Sequence, residues 1–137
     1  MDGKQFHHDN IVIDGLQTSL WGRPIFEEMR AGGITAVNVS SVLWENFRQG
    51  IDYVSMWKRY LRENEDIIRP VRSVADIHAA KAENKTGIII GWQNTSPIED
   101  RLDYIEIFKD LGVGIMQLTY NTQNYSGAGY LEANDSG

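Results

Sequence analysis

The sequence predicts an α/β fold built from parallel βα units. Three observations predict it. Apolar, β-branched runs alternate with amphipathic stretches along the chain. The run TGIIIGW at Thr86–Trp92 is apolar and glycine without polar alternation, as in a strand covered on both faces. Glycines punctuate the ends of the amphipathic stretches, at Gly32-Gly33 and Gly112.

Each element follows from local chemistry. A polar arm, MDGKQFHHDN, precedes a short strand at residues 10–13, and Asp14-Gly15 reads as the turn that ends it. Pro24 suits the first turn of a helix over residues 24–31. Residues 34–40 form a second strand, rich in β-branched side chains. A long helix is predicted over residues 42–63, with Leu43, Phe47, Ile51, Val54, Trp57 and Leu61 on one face and Gly50 as its weak point. Residues 66–71 are extended, and Pro70 bars them from the interior of a sheet. Ser73 and Asp76 sit at N-cap and capping-box spacing for a helix over residues 73–84. Ser96-Pro97 opens a further helix carrying Ile98, Leu102, Ile105, Phe108 and Leu111, and a strand follows at residues 113–119. Residues 120–137 are polar and show no period. Four strands amount to about half of an eight-stranded βα barrel, which takes roughly 200 residues or more. With 137 residues, the chain is a small open sheet or part of something larger.

Bulk properties narrow the function. The net charge is −6, from 13 basic and 19 acidic residues, which argues against nucleic acid as a partner. No apolar run approaches the ~18 residues of a membrane helix, and the N-terminus has no signal-like segment, so a cytoplasmic location is expected. No cysteine is available for disulfides or thiolate metal sites.

In parallel α/β folds, chemistry gathers at the C-terminal ends of strands. Those ends offer Asp14, Gln17, Thr18, Ser40, Ser41, Gln93, Asn94, Tyr120 and Asn121, with one carboxylate and no histidine. One unpaired carboxylate is poor equipment for acid–base work and too little for a zinc site. His7 and His8 read as part of a solvated arm, and His78 as a helix-surface residue. Trp21, Trp44, Trp92, Tyr120 and Tyr125 cluster near strand ends; they serve either packing or a pocket with aromatic walls that holds a methylated ammonium. No P-loop, dinucleotide fingerprint or nucleophile elbow is present.

Three segments, VIDGLQTSLW, VADIHAAKAENKTGIIIGWQN and FKDLGVGIMQLTYNTQN with GYLEANDSG, resemble the membrane (renal) dipeptidase family of zinc peptidases. Leu111-Gly112-Val113 followed by Leu118-Thr119-Tyr120-Asn121 is the most specific piece, and the 27-residue step from Gln93 to Tyr120 fits the family spacing. The resemblance implies the N-terminal half of a (β/α)8 TIM barrel, with two zinc ions at the strand ends and metal-assisted cleavage of small dipeptides. It also implies that the ligand positions are substituted here. The family's His and Asp ligands of the first strand fall at Leu16 and Thr18. Its bridging Glu falls at Gln93, and its substrate-contacting His at Tyr120.

The expectation is therefore a single segment, 1–137, forming a dipeptidase-like half with no confident catalytic residue and no metal of its own. Zinc would come only through ligands of a partner half. The expected pocket is Asp14, Gln17, Thr18, Trp92, Gln93, Tyr120 and Asn121, open to a small molecule. The expected partner is a C-terminal half-barrel polypeptide, from a split gene or a cut at the polar end. The alternative is a divergent hydrolase of a small amino-acid derivative or dipeptide, active only when assembled.

Overall fold

The computed structural model describes residues 2–134; Asp135–Gly137, the polar end read as a processing point, lies outside them. The order is α1 (Gly3–Asp9), β1 (Ile13–Gln17), α2 (Arg23–Ala31), β2 (Ala36–Ser40), α3 (Phe47–Glu63), β3 (Ile68–Pro70), α4 (Val74–Ala82), β4 (Thr86–Trp92), α5 (Asp103–Leu111) and β5 (Val113–Met116). The chain forms two compact units, one comprising residues up to Val39 with Lys58–Ile89, the other Ser40–Trp57 with Ile90 onward.

In the first unit the strands lie in the order β1-β2-β4-β3. β1 pairs with β2 in parallel, Ile13 opposite Ala36, and β3 pairs with β4 in parallel, Ile68 opposite Thr86. Gly87 donates its N–H to the Thr35 carbonyl at 2.8 Å. The β2 residues Ala36, Val37 and Val39 are fully buried. On α2, Phe26 is also fully buried, between Trp21 and the Tyr60 ring. Arg23 binds both Asp66 carboxylate oxygens and Glu27, so α2 is tied to the approach to β3. These pairs hold the Arg23 guanidinium above its ordinary value, the Asp66 hydrogen bond first among causes. Ser73 and Asp76 close the predicted capping box on α4. Pro70 ends β3, which among the described residues lies at an edge of the sheet, a place that tolerates its missing N–H.

In the second unit, Ile90 to Trp92 of β4 pair in parallel with β5 from Val113 to Met116. The core centres on Phe108, whose ring meets Trp92 at 4.4 Å and Phe47 at 5.3 Å, both edge-to-face. Gly50 lies inside an unbroken α3. A Cβ there would stand 3.1 Å from Pro97 Cβ and 3.4 Å from Phe108 Cζ, so glycine serves close approach rather than a break.

Several boundaries differ from the sequence expectation, each for a local reason. The N-terminal arm is helical: Asp2 caps it through Lys4 N–H, and Asn10 closes it on the Phe6 carbonyl. The first strand is displaced from 10–13 to Ile13–Gln17, so Asp14-Gly15 is strand rather than turn. The long helix starts at Phe47, not at residue 42. The Glu45 carboxylate takes the N–H groups of Leu43 and Trp44, and Asn46 and Gln49 cap each other across the first turn. Ser96–Ile98 is a single 3-10 turn, because Glu99 takes a left-handed φ of 54° and stops it; α5 begins only at Asp103. Gly112 does end α5, at φ 111°. No helix among the described residues is long and apolar enough to cross a membrane.

Candidate functional site

In the first unit, β1 carries three of the residues singled out by the sequence, and a fourth, Thr18, follows it. Asp14 is half-buried, and its Oδ1 accepts from the Leu16 N–H at 3.1 Å. That local bond accompanies a slip of the β1–β2 register between Asp14 and Gln17. Within the slip, the Gly15 carbonyl is taken by the Asn38 side chain, Nδ2 donating at 2.9 Å. Leu16 is 47% exposed, Gln17 half-buried, and Thr18 stands just past the strand. Asn38 was not among the expected residues, although a lone amide inside AVNVS is a visible signal. It is buried, and its Oδ1 has no hydrogen-bond partner among the described residues.

In the second unit, Gln93 directly follows β4. Its Nε2 donates to Ser40 Oγ at 2.7 Å, and its N–H to the Val42 carbonyl at 3.0 Å. Asn94 is buried, donating through Nδ2 to the Leu43 carbonyl and accepting at Oδ1 from Asn124. Asn124 also reaches Thr95 Oγ1 and the Leu118 carbonyl, which fastens the loop after β5. Tyr120 is half-buried with its ring 5.8 Å from Trp44, and Trp44 itself is 60% exposed. The Tyr120 and Asn121 carbonyls accept from Tyr130 and Leu131 N–H, so the loop returns on itself. Gly129 permits that return: a Cβ would fall 2.4 Å from the Asn121 carbonyl carbon. Trp92 belongs to the packing, 2% exposed against Phe108. Burial, followed by the Glu45 carboxylate, pushes the Tyr53 hydroxyl up from its ordinary value.

The chemistry available is hydrogen bonding by neutral groups. Among the described residues, no three His, Asp or Glu side chains converge as a metal site would need. Leu16 has no donor atom, Thr18 is neutral, and Gln93, its Nε2 donating to Ser40, offers only an uncharged amide oxygen. These three do not fit a two-zinc centre, whose ligands must offset the charge of two cations. His7 lies on α1 with Nε2 donating to the Gly32 carbonyl at 2.8 Å, which fixes its tautomer for structure. His78 is exposed on α4, as its position suggested.

The chain is similar to solved structures. One, described as an amidohydrolase from Pseudomonas aeruginosa, is 46% identical with a TM-score of 0.97, over 100% of this chain and 42% of that one. Another, the dipeptidase AC, a metallopeptidase of family M19, is 12% identical with a TM-score of 0.70, over 80% of this chain and 43% of that one, and shows the fold. The chain thus spans about two fifths of the length of these relatives, and its α/β architecture is that of a partial (β/α) barrel. No curated protein matches. A model of the membrane dipeptidase family (peptidase family M19) matches residues 26–136, and the chain belongs to that family.

Proposed function

We propose that this chain is a dipeptidase-family part whose strand ends bind a small molecule through neutral hydrogen-bonding groups instead of gripping zinc. Asp14, Gln17 and Thr18 in the first unit, and Gln93, Tyr120 and Asn121 in the second, are the residues assigned to that role. Trp92 lies in the core of the second unit, next to Gln93 in the chain. One observation carries the reading. Gln93, where the family resemblance expects the carboxylate that bridges two metals, is an uncharged amide oriented by its Nε2 bond to Ser40 Oγ at 2.7 Å. The remaining strands would come from a C-terminal half-barrel polypeptide.

A second reading has its own support. Identity of 46% over the whole chain to a structure described as an amidohydrolase favours a divergent hydrolase of an amide, dipeptide or small amino-acid derivative, active when the barrel is complete. Metal analysis of the purified barrel, with amide hydrolysis assayed alongside, separates the two. The binding reading expects no zinc and no turnover. Hydrolysis with at most one metal per barrel supports the second reading. Two zinc ions per barrel, with one lost in Gln93→Ala, overturn the picture of a substituted centre.

A further inference from the structure

The first unit holds a cavity of about 340 Å³ that involves none of the residues proposed above. Arg30, Lys81, Lys85 and His8 line it, with Thr35 and Asn84 as neutral polar groups, and no carboxylate among the described residues contributes to its wall. In a chain of net charge −6, three convergent cations without an acid are a local reversal of sign.

Part of this has a structural cause. Arg30 and Lys81 stand in the last turns of α2 and α4, where cations offset exposed carbonyls. That account does not reach Lys85. It lies beyond α4, after Asn84, whose φ of 53° turns the chain. The nearest acid to Lys85 is Glu83, at 3.2 Å, and Glu83 is shared with Arg69 at 2.6 Å. Glu83 is not part of the cavity wall, and Arg69 has a second partner in Asp76 at 3.5 Å. Lys81 gives one of its three N–H donors to the His8 carbonyl and keeps two. Arg30 has no ion pair among the described residues, although its charge helps hold the Asp66 carboxyl low. Asp9, 3.7 Å from His8 Nδ1, is not part of the wall.

We propose that this cavity binds a phosphate group, either free or as the monoester of a small metabolite. Its volume lies at the lower end of small-molecule sites, about 300–1,000 Å³. A guanidinium fork with two ammonium groups matches a compact dianion.

Isothermal titration at constant ionic strength, on the protein as it purifies, tests this. Inorganic phosphate and glycerol 3-phosphate are the two probes, with glycerol and chloride as blanks. The expected result is saturable binding that Arg30→Gln and Lys85→Gln each weaken about tenfold, or about 1.4 kcal/mol. Arg62→Gln, an exposed cation outside the cavity wall, should leave it unchanged. Equal affinity for both probes identifies free phosphate as the ligand, and tighter glycerol 3-phosphate identifies an organic monoester. Melting curves confirm that each variant is folded, and amide resonances of Thr35 and Asn84 should shift on titration of the unmodified chain. No saturable heat with unmoved resonances overturns the proposal, as does equal weakening by Arg62→Gln.

Discussion

Gly87 is where the first unit leaves least room, and replacing it with alanine gives a sharp test of the packing. A Cβ on Gly87 would lie 2.5 Å from Val71 Cγ2, with Thr35 O at 3.4 Å and Ala36 Cβ at 3.5 Å. Carbon atoms rest at about 3.5–4.0 Å, so one partner must move by about 1 Å. Neither is free to do so. Gly87 N–H is bonded to the Thr35 carbonyl, and Val71, 6% exposed, donates its N–H to the Ile88 carbonyl at 2.9 Å. Overpacking of this kind costs about 1–3 kcal/mol, and the rigid setting places Gly87→Ala near the upper end. Val71→Ala removes the offending methyl at a cost of about 2 kcal/mol by methylene bookkeeping. The double variant should then lose less than the sum, by at least about 1 kcal/mol. Urea unfolding followed by circular dichroism measures all three. Strict additivity would refute the reasoning, because it would mean that the two groups do not compete for space.

Three further predictions concern separate parts of the chain. Phe108→Ala removes the ring that meets both Trp92 and Phe47, and should cost about 3–5 kcal/mol in the same unfolding measurement. Phe108→Leu, which keeps much of the buried volume, should cost much less, and equal losses would show that the ring contacts rather than filled volume carry the stability. Ser73→Ala should cost about 1 kcal/mol through loss of the capping box. The Asp76 carboxyl is held below the usual carboxylate range by the Arg72 N–H first and the Ser73 hydroxyl next. Its stabilisation is therefore complete above the unfolded value near pH 4 and fades as pH falls through the lower folded value. Asp76→Asn should flatten that acid limb of stability, and an unchanged limb would count against the assignment.

Local chemistry with a short reach was legible in the sequence. Ser73 and Asp76 are three residues apart and needed nothing else to declare a helix start. TGIIIGW became β4 with the predicted bounds, and Gly112 stops α5 as its position implied. Asn46 and Gln49 carry the same kind of signal, yet the apolar spacing from Leu43 onward masked it. Ile11 and Ile13 look like buried strand but are 40% and 49% exposed, so hydrophobicity misplaced β1. The site was legible as a set of residue types and not as a set of contacts. Gln93 finds Ser40 across 53 positions, and Asn38 finds Gly15 across 23. Such partners are fixed by strand register, which the one-dimensional pattern near each residue does not contain.

Asn124 carries an unusual share of responsibility. Its single NH₂ group serves Asn94, Thr95 and Leu118, while its own oxygen accepts the Ser126 N–H at 2.7 Å. Hydrolysis of that one amide to a carboxylate would turn a donor into an acceptor facing three oxygens, of which Asn94 Oδ1 and the Leu118 carbonyl can only accept. Chemical ageing at this position would therefore act as a latch release, freeing the segment that bears Tyr125 to proteases while β4 and β5 stayed paired behind it.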